Sequence, residues 1–161
     1  MSTLFVDNLQ PNLGSRVMAA GHVVQVVQHV NTTGISKSGS TITATGIAAS
    51  ITPTSTSSKI LIMYDLQYHI DTSPSSGGLG LRIHRDGTFI AGDDTGYRSA
   101  YSQLSASGTR PRGRASFTYM DSPSTTSSTT YEIYCMAWDA ATSYISEGNV
   151  PSTITLMEIA Q

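Results

Sequence analysis

Two stretches seventy positions apart carry the same device. Thr52-Pro53-Thr54-Ser55-Thr56-Ser57-Ser58 runs into Lys59-Ile60-Leu61-Ile62-Met63-Tyr64, and Ser122-Pro123-Ser124-Thr125-Thr126-Ser127-Ser128 runs, through Thr129 and Thr130, into Tyr131-Glu132-Ile133-Tyr134. Proline presets its own φ and pushes the preceding residue toward extended backbone, while Ser and Thr hydroxyls bond to nearby backbone groups. Each stretch therefore ends one strand and aims the next. A chain punctuated in this way is built from strands and polar turns, and its class is all-β before any single residue is weighed.

Along the chain the strand period recurs and the helix period does not. Ile60, Ile62, Tyr64, Leu66, Tyr68 and Ile70 alternate with Lys59, Leu61, Met63, Asp65, Gln67 and His69, which puts one apolar row on a core face. Leu79, Leu81 and Ile83 alternate against Gly80, Arg82 and His84. Asp86-Gly87 then supplies the pair a tight hairpin wants before Thr88-Phe89-Ile90-Ala91. Further strands are expected at Arg114 to Met120, Tyr131 to Trp138, Ser143 to Ser146 and Thr153 to Ile159, with Gly92 to Gly113 looser, one or two short strands and an exposed loop.

Two strands break the one-sided pattern. In His22 to Val30, Val24, Val26 and Val30 are read as facing one way and Val23 and Val27 the other; in Thr153 to Ile159, Ile154 and Leu156 oppose Met157 and Ile159. A strand apolar on its outer face needs another layer or another subunit. First and last strands lying side by side against a neighbour satisfy that need, and Val24, Val26, Val30, Leu156, Met157 and Ile159 form the expected contact set.

A length of 161 residues suits one domain. Only 12% of the residues are charged, against about 25% in an ordinary soluble domain, and more than a quarter are Ser or Thr. At a net charge of -2 such a surface has little electrostatic protection against association, so much of it is expected to touch other subunits. Nucleic acid is disfavoured, because no basic excess exists to drive counterion release. No apolar run reaches the length of a membrane span, so no membrane insertion is expected. The N-terminus lacks the basic-then-apolar pattern of a secretory signal, so for work outside a cell, release by lysis or inside a particle is the expectation.

The first twenty residues differ from the rest. Leu4, Phe5, Val6 and Leu9 form an apolar segment closed by Pro11, and Gly14 and Ala19-Ala20-Gly21 resemble linker. Residues 1–20 are read as an anchoring arm and residues 21–161 as the folded domain.

Residues that invite chemistry find no pattern to support it. His22, His29, His69 and His84 with Asp65, Asp71, Asp93 and Asp94 contain no closely spaced ligand motif, and Asp93-Asp94 lacks the further oxygens of a calcium loop, so no metal is expected. Cys135 is the single cysteine and lies in the apolar run Tyr134 to Trp138, which predicts a reduced core thiol. No Gly-x-Ser-x-Gly elbow occurs, and Gly77-Gly78-Leu79-Gly80 precedes a strand rather than the helix a phosphate loop requires. No catalytic residue and no cofactor are assigned. Arg110, Arg112 and Arg114 form the one local concentration of charge. They suit either a solvated loop edge or intersubunit salt bridges, or an anionic glycan or acidic patch gripped by planar guanidinium groups. Tyr97 and Tyr101 beside them are candidates for stacking on sugar rings.

Taken together, Ser-Arg-Val with the following Val-Val-Gln-Val-Val-Gln strand, Ile51 to Ile62, the Arg85-Asp86-Gly87-Thr88 hairpin, Tyr119 to Ser127, and Ser152 to Ile159 carry a resemblance. Over about residues 15 to 161 the chain resembles tail-fibre-like structural proteins of tailed bacteriophages, of the marine phage type, and through them the trimeric jelly roll of the C1q and tumour-necrosis-factor type. That resemblance implies an antiparallel β-sandwich jelly roll and a homotrimer with first and last strands near the three-fold axis. It also implies a virion location, and a non-enzymatic role as a knob fixed to other virion proteins by its arm and touching host surface. No long shaft repeat precedes the knob, which favours a short one seated directly on the particle. A capsid decoration (cement) protein and a soluble carbohydrate-binding module are the neighbouring alternatives. A polysaccharide-active enzyme is the rival from another class, disfavoured because no paired carboxylates stand at recognisable spacing.

Overall fold

The computed structural model of the chain describes residues 19–71, 76–92, 100–103, 110–138 and 142–161. These form strands β1 (Val23–Asn31), β2 (Ile35–Ser38), β3 (Thr43–Ile51), β4 (Lys59–Asp71), β5 (Ser76–Arg85), β6 (Thr88–Gly92), β7 (Ala100–Gln103), β8 (Arg112–Asp121), β9 (Thr129–Trp138), β10 (Thr142–Ile145) and β11 (Ser152–Ile159). A 3-10 turn at Glu147–Asn149 separates β10 from β11.

The strands pair, all antiparallel, into two sheets. In the first, β1 pairs β11, β11 pairs β4, and β4 pairs β8 along its other edge. Past the end of β11, β4 is continued on the same side by β10, which pairs β2. Strands β1 and β2 are thus two lengths of one line, as are β10 and β11, and the 3-10 turn marks the break. The second sheet runs β3, β9, β5, with β6 and β7 sharing the far edge of β5. Counting each interrupted line once, the order is first, eighth, third, sixth in one sheet and second, seventh, fourth, fifth in the other, the double Greek key of a jelly-roll sandwich.

Alternation places the core between the sheets. Ile60, Ile62, Leu66 and Ile70 of β4, Leu79, Leu81 and Ile83 of β5, Ile133 of β9 and Leu156 of β11 are at most 1% exposed. Each such side chain stabilises the fold by about 1.5–3 kcal/mol relative to remaining in water. The hairpin between β5 and β6 turns on Asp86 and Gly87, both at positive φ (48° and 81°), as an Asp-Gly turn of primed type requires. Cys135 is fully buried, and burial pushes its thiol up to about 11, which keeps it protonated and inert.

The first Ser/Thr turn does more than reverse the chain, because it closes on a buried carboxylate, and the second is flanked by one. Glu158 of β11 faces the core side and is fully buried; its Oε1 accepts from Thr54 N, Thr54 Oγ1 and Ser58 Oγ, each at 2.7 Å, and its Oε2 accepts from Gln25 Nε2 at 2.7 Å. The first turn is thereby pinned to β1 and β11. Burial alone raises the Glu158 carboxyl, but the hydrogen bonds from Ser58, Gln25 and Thr54 together hold it below the ordinary range. Asp121, at the start of the second turn, accepts from Tyr131 OH at 2.7 Å and from Arg85 Nη1 at 2.8 Å.

Candidate functional site

The first sheet turns one face to the core and the other outward, and the outward face divides into two halves. Register fixes which side chains share it. Val26 lies opposite Met157, Met157 opposite Leu61, and Leu61 opposite Met120, so one apolar row crosses β1, β11, β4 and β8. Val23 and Ile159 flank that row at the chain-terminal end, and Met63 extends it on β4. Val23, Val26 and Met120 are 52%, 54% and 43% exposed. A contiguous apolar patch of this kind on a hydroxyl-rich surface makes this face the candidate contact surface.

Beyond Thr155, Thr118 and Gln28 the same face becomes charged. Arg114 Nε lies 2.9 and 2.8 Å from the two oxygens of Asp65, and its Nη2 is 2.7 Å from Oδ2. Ser116 Oγ donates to Asp65 Oδ1 at 2.9 Å. The hydrogen bonds from Arg114 hold the Asp65 carboxyl below its usual range against a smaller opposing effect of burial. Arg112 faces Glu147 at 3.6 Å, and Arg110 faces Asp71 at 3.1 Å. The three arginines singled out in the sequence are therefore brought together, as a ladder in which each already faces a carboxylate of its own chain. An anionic ligand reaching them has to compete with those carboxylates.

The expected contact set divides between the outer face and the interior. Val26, Val30, Met157 and Ile159 lie on the outer face. Leu156 does not: it pairs with Ile62 and is fully buried in the core. Strand β11 is apolar on both faces, and alternation separates its two rows without saying which meets the core. Val24 falls at a β-bulge where the register shifts between Val23 and Gln25, so Val23 takes the outward place that strict alternation gave to Val24. Leu61, Met63 and Met120 complete the patch and were missed. Leu61 and Met63 carried a visible signal, being apolar on the row of β4 that otherwise holds Lys59, Asp65 and Gln67. The arm residues Leu4, Phe5, Val6 and Leu9, and Asp93, Asp94 and Tyr97, lie outside the described residues, as does the Tyr101 side chain.

On the chemistry side, no group of three or more His, Cys, Asp and Glu side chains among the described residues is arranged to hold a metal ion. His69 is buried against Tyr144, with ring centroids 4.2 Å apart, and His84 is stacked on Tyr134 at 3.7 Å. Asp65, Asp71, Asp121, Glu147 and Glu158 are each engaged by a cation or by several hydrogen-bond donors. No helix among the described residues is long and apolar enough to cross a membrane.

The sequence matches no protein-family model and no curated protein. Among solved structures it is similar to chains of the T13 IBDV viral particle, at 12% identity and a TM-score of 0.47, covering 96% of this chain and 40% of that one. It is similar also to the VP2 subviral particle of infectious bursal disease virus, at 13% identity and a TM-score of 0.46, with 97% and 42% covered. The Gx strain of that virus gives 13% identity and a TM-score of 0.46, with 98% and 42% covered. The chain thus spans about two-fifths of the length of these neighbours. The fold assignment stands on the strand order described above.

Proposed function

We propose that this chain is a non-enzymatic virion structural protein whose jelly-roll knob self-associates as a homotrimer through the outer face of its first sheet. The observation that carries the reading is the apolar row Val26, Met157, Leu61 and Met120, of which folding leaves Val26 and Met120 exposed and Met157 and Leu61 half-buried. A partner covering it removes from water side chains worth roughly 1 kcal/mol each when half-exposed. A low content of charge across the chain removes the usual repulsion between copies. The sequence resemblance to phage tail-fibre-like proteins supplies the number of copies and the particle. The apolar segment Leu4 to Leu9 is the proposed anchor to other virion proteins, and the loops at the far end of the knob are the proposed contacts to host surface.

Two experiments test this reading. Met157→Asp places a carboxylate at the middle of the apolar row, where a buried, unpaired charge costs several kcal/mol. The expected result is a folded protein that sediments as a smaller species than the unmodified chain. An unchanged sedimentation coefficient removes this face from the interface. Immunogold labelling of purified particles tests the location, with label on every particle expected and unlabelled particles contradicting it.

A further inference from the structure

The turn between β10 and β11 covers a histidine in an unusual position. His69 belongs to the outward row of β4, opposite Arg112 on β8 and Tyr144 on β10, yet it is fully buried. The Tyr144 ring stacks on it at 18° between planes. Glu147, on the 3-10 turn, brings Oε2 to 2.7 Å from its Nδ1, but no aligned hydrogen bond forms there, and Nε2 has no hydrogen-bond partner. The same Glu147 oxygen is shared with Arg112.

The turn itself is held by a few polar ties over a backbone bent into left-handed conformation. Ser146, Gly148 and Asn149 have φ of 56°, 71° and 63°, of which only the glycine adopts such values freely. Ser146 N donates to Gln67 O at 3.1 Å and Glu147 N to Gln67 Oε1 at 3.0 Å, while Asn31 Nδ2 donates to Ser146 Oγ at 3.0 Å. Arg114 Nη2 donates to Pro151 O at 3.1 Å. No residue of the 3-10 turn is buried. An element strained in its backbone, exposed, and fixed by side-chain ties belongs to the low-stability end of a fold.

We propose that residues 147–151 form a pH-sensitive latch, closed over His69 while the ring is neutral and released when the ring takes up a proton. The closed seat offers a charged imidazolium no water. Among the groups that face it, Glu147 and Asp71 favour the charge, Arg112 and Arg110 oppose it, and Tyr144 presents a ring face. Burial is the largest of these effects and holds His69 below the ordinary histidine value of 6.5. The closed form therefore binds the proton less well than the open form. Its stability is complete above the open-state value and declines as pH falls below it toward the closed-state value. Asp65 and Glu158 are held low and titrate in a more acidic range, so the two responses separate. The latch is a property of the single knob and does not depend on how copies assemble.

The test is a nuclear magnetic resonance titration of the full chain from about pH 8 to about pH 5, following the His69 ring and the exchange of amides in residues 147–150. Expected is a His69 ring that titrates below the ordinary range. Amide exchange in the turn, corrected for the intrinsic pH dependence and referred to β5 and β9, should rise by roughly threefold or more as the ring protonates. His69→Gln should abolish that rise, and His84→Gln should leave it in place. Glu147→Gln removes a favourable anion and should move the ring titration lower still. A ring that titrates at or above the ordinary value overturns the proposal. So does turn protection that stays constant relative to the core through the titration. Should His69→Gln fail to fold, these two readings on the unmodified chain decide alone.

Discussion

Replacing Glu158 with Gln changes one oxygen for one NH2 group and leaves the shape of the side chain intact, which isolates the charge. Three donors converge on Oε1 and one on Oε2, all at 2.7 Å. With the amide oxygen kept toward Thr54 and Ser58, the new NH2 confronts Gln25 Nε2, and Gln25 cannot reverse its own amide without losing its 2.7 Å bond to Thr52 O. Hydrogen bonds to a charged group contribute about 1.5–3 kcal/mol against about 0.5–1.5 for neutral ones. Four weakened bonds, partly offset by the smaller cost of burying a neutral group, give an expected loss of about 2–4 kcal/mol. For a domain of this size that is a fall in Tm of about 4–16 °C. The pH dependence supplies the sharper check. Because the Glu158 carboxyl is held below its ordinary value of 4.5, its contribution is present above that value and is lost as pH falls through the folded-state value. Calorimetry of both proteins across the acid range should show the gap in Tm wide near neutrality and closing below about pH 4.5. A gap under about 1 kcal/mol at neutrality, or one that persists undiminished into acid, refutes the account of this carboxylate as the clasp of the first turn.

Two further outcomes follow from the same geometry. Changing Arg110, Arg112 and Arg114 together to Ser breaks three exposed ion pairs worth about 0–1 kcal/mol each, so Tm should fall by about 0–12 °C and any host attachment should persist at every salt concentration. Salt-sensitive attachment lost in the variant shows instead that the ladder is a ligand grip. Cys135, buried and with its thiol pushed up to about 11, should resist iodoacetamide in the native protein and react once urea unfolds it. Rapid native labelling places the thiol at the surface and contradicts the packing of β9.

Much of this fold is legible in the chain where one strand face is apolar and the other is not. Strands β4, β5, β6, β8, β9 and β11 announce themselves by alternation or by the Asp86-Gly87 turn. Strand β3 stays hidden, because its core row is short, only Ile47, Ala49 and Ile51, and Ala48 on the opposite face blurs the alternation. Gly46, at a φ of 79°, also breaks the period where the register against β9 shifts. Strand β2 has four residues and only Ile35 to mark it. The bulge at Val24 shows the limit of a period-two reading, since one inserted residue moves a valine from one face to the other. Glu158 and Asp121 carry no signal in the sequence beyond being lone acids beside apolar strands. The donors that make Glu158 intelligible, on Ser58 and Thr54, stand about a hundred positions away and meet it only through the pairing of β11 with β4. The outer-face patch lay in between, its β1 and β11 contributions visible as two-sided strands and its β8 contribution visible only after register was known.

Native mass spectrometry of the full chain at micromolar concentration and neutral pH tests the central claim most directly, because it counts copies without any substitution. A chain of 17.1 kDa whose apolar outer face closes on two others should fly as a single species of three times that mass. A species at 17.1 kDa that persists as the concentration is raised leaves Val26 and Met120 exposed and Met157 and Leu61 only half-covered, and contradicts the account.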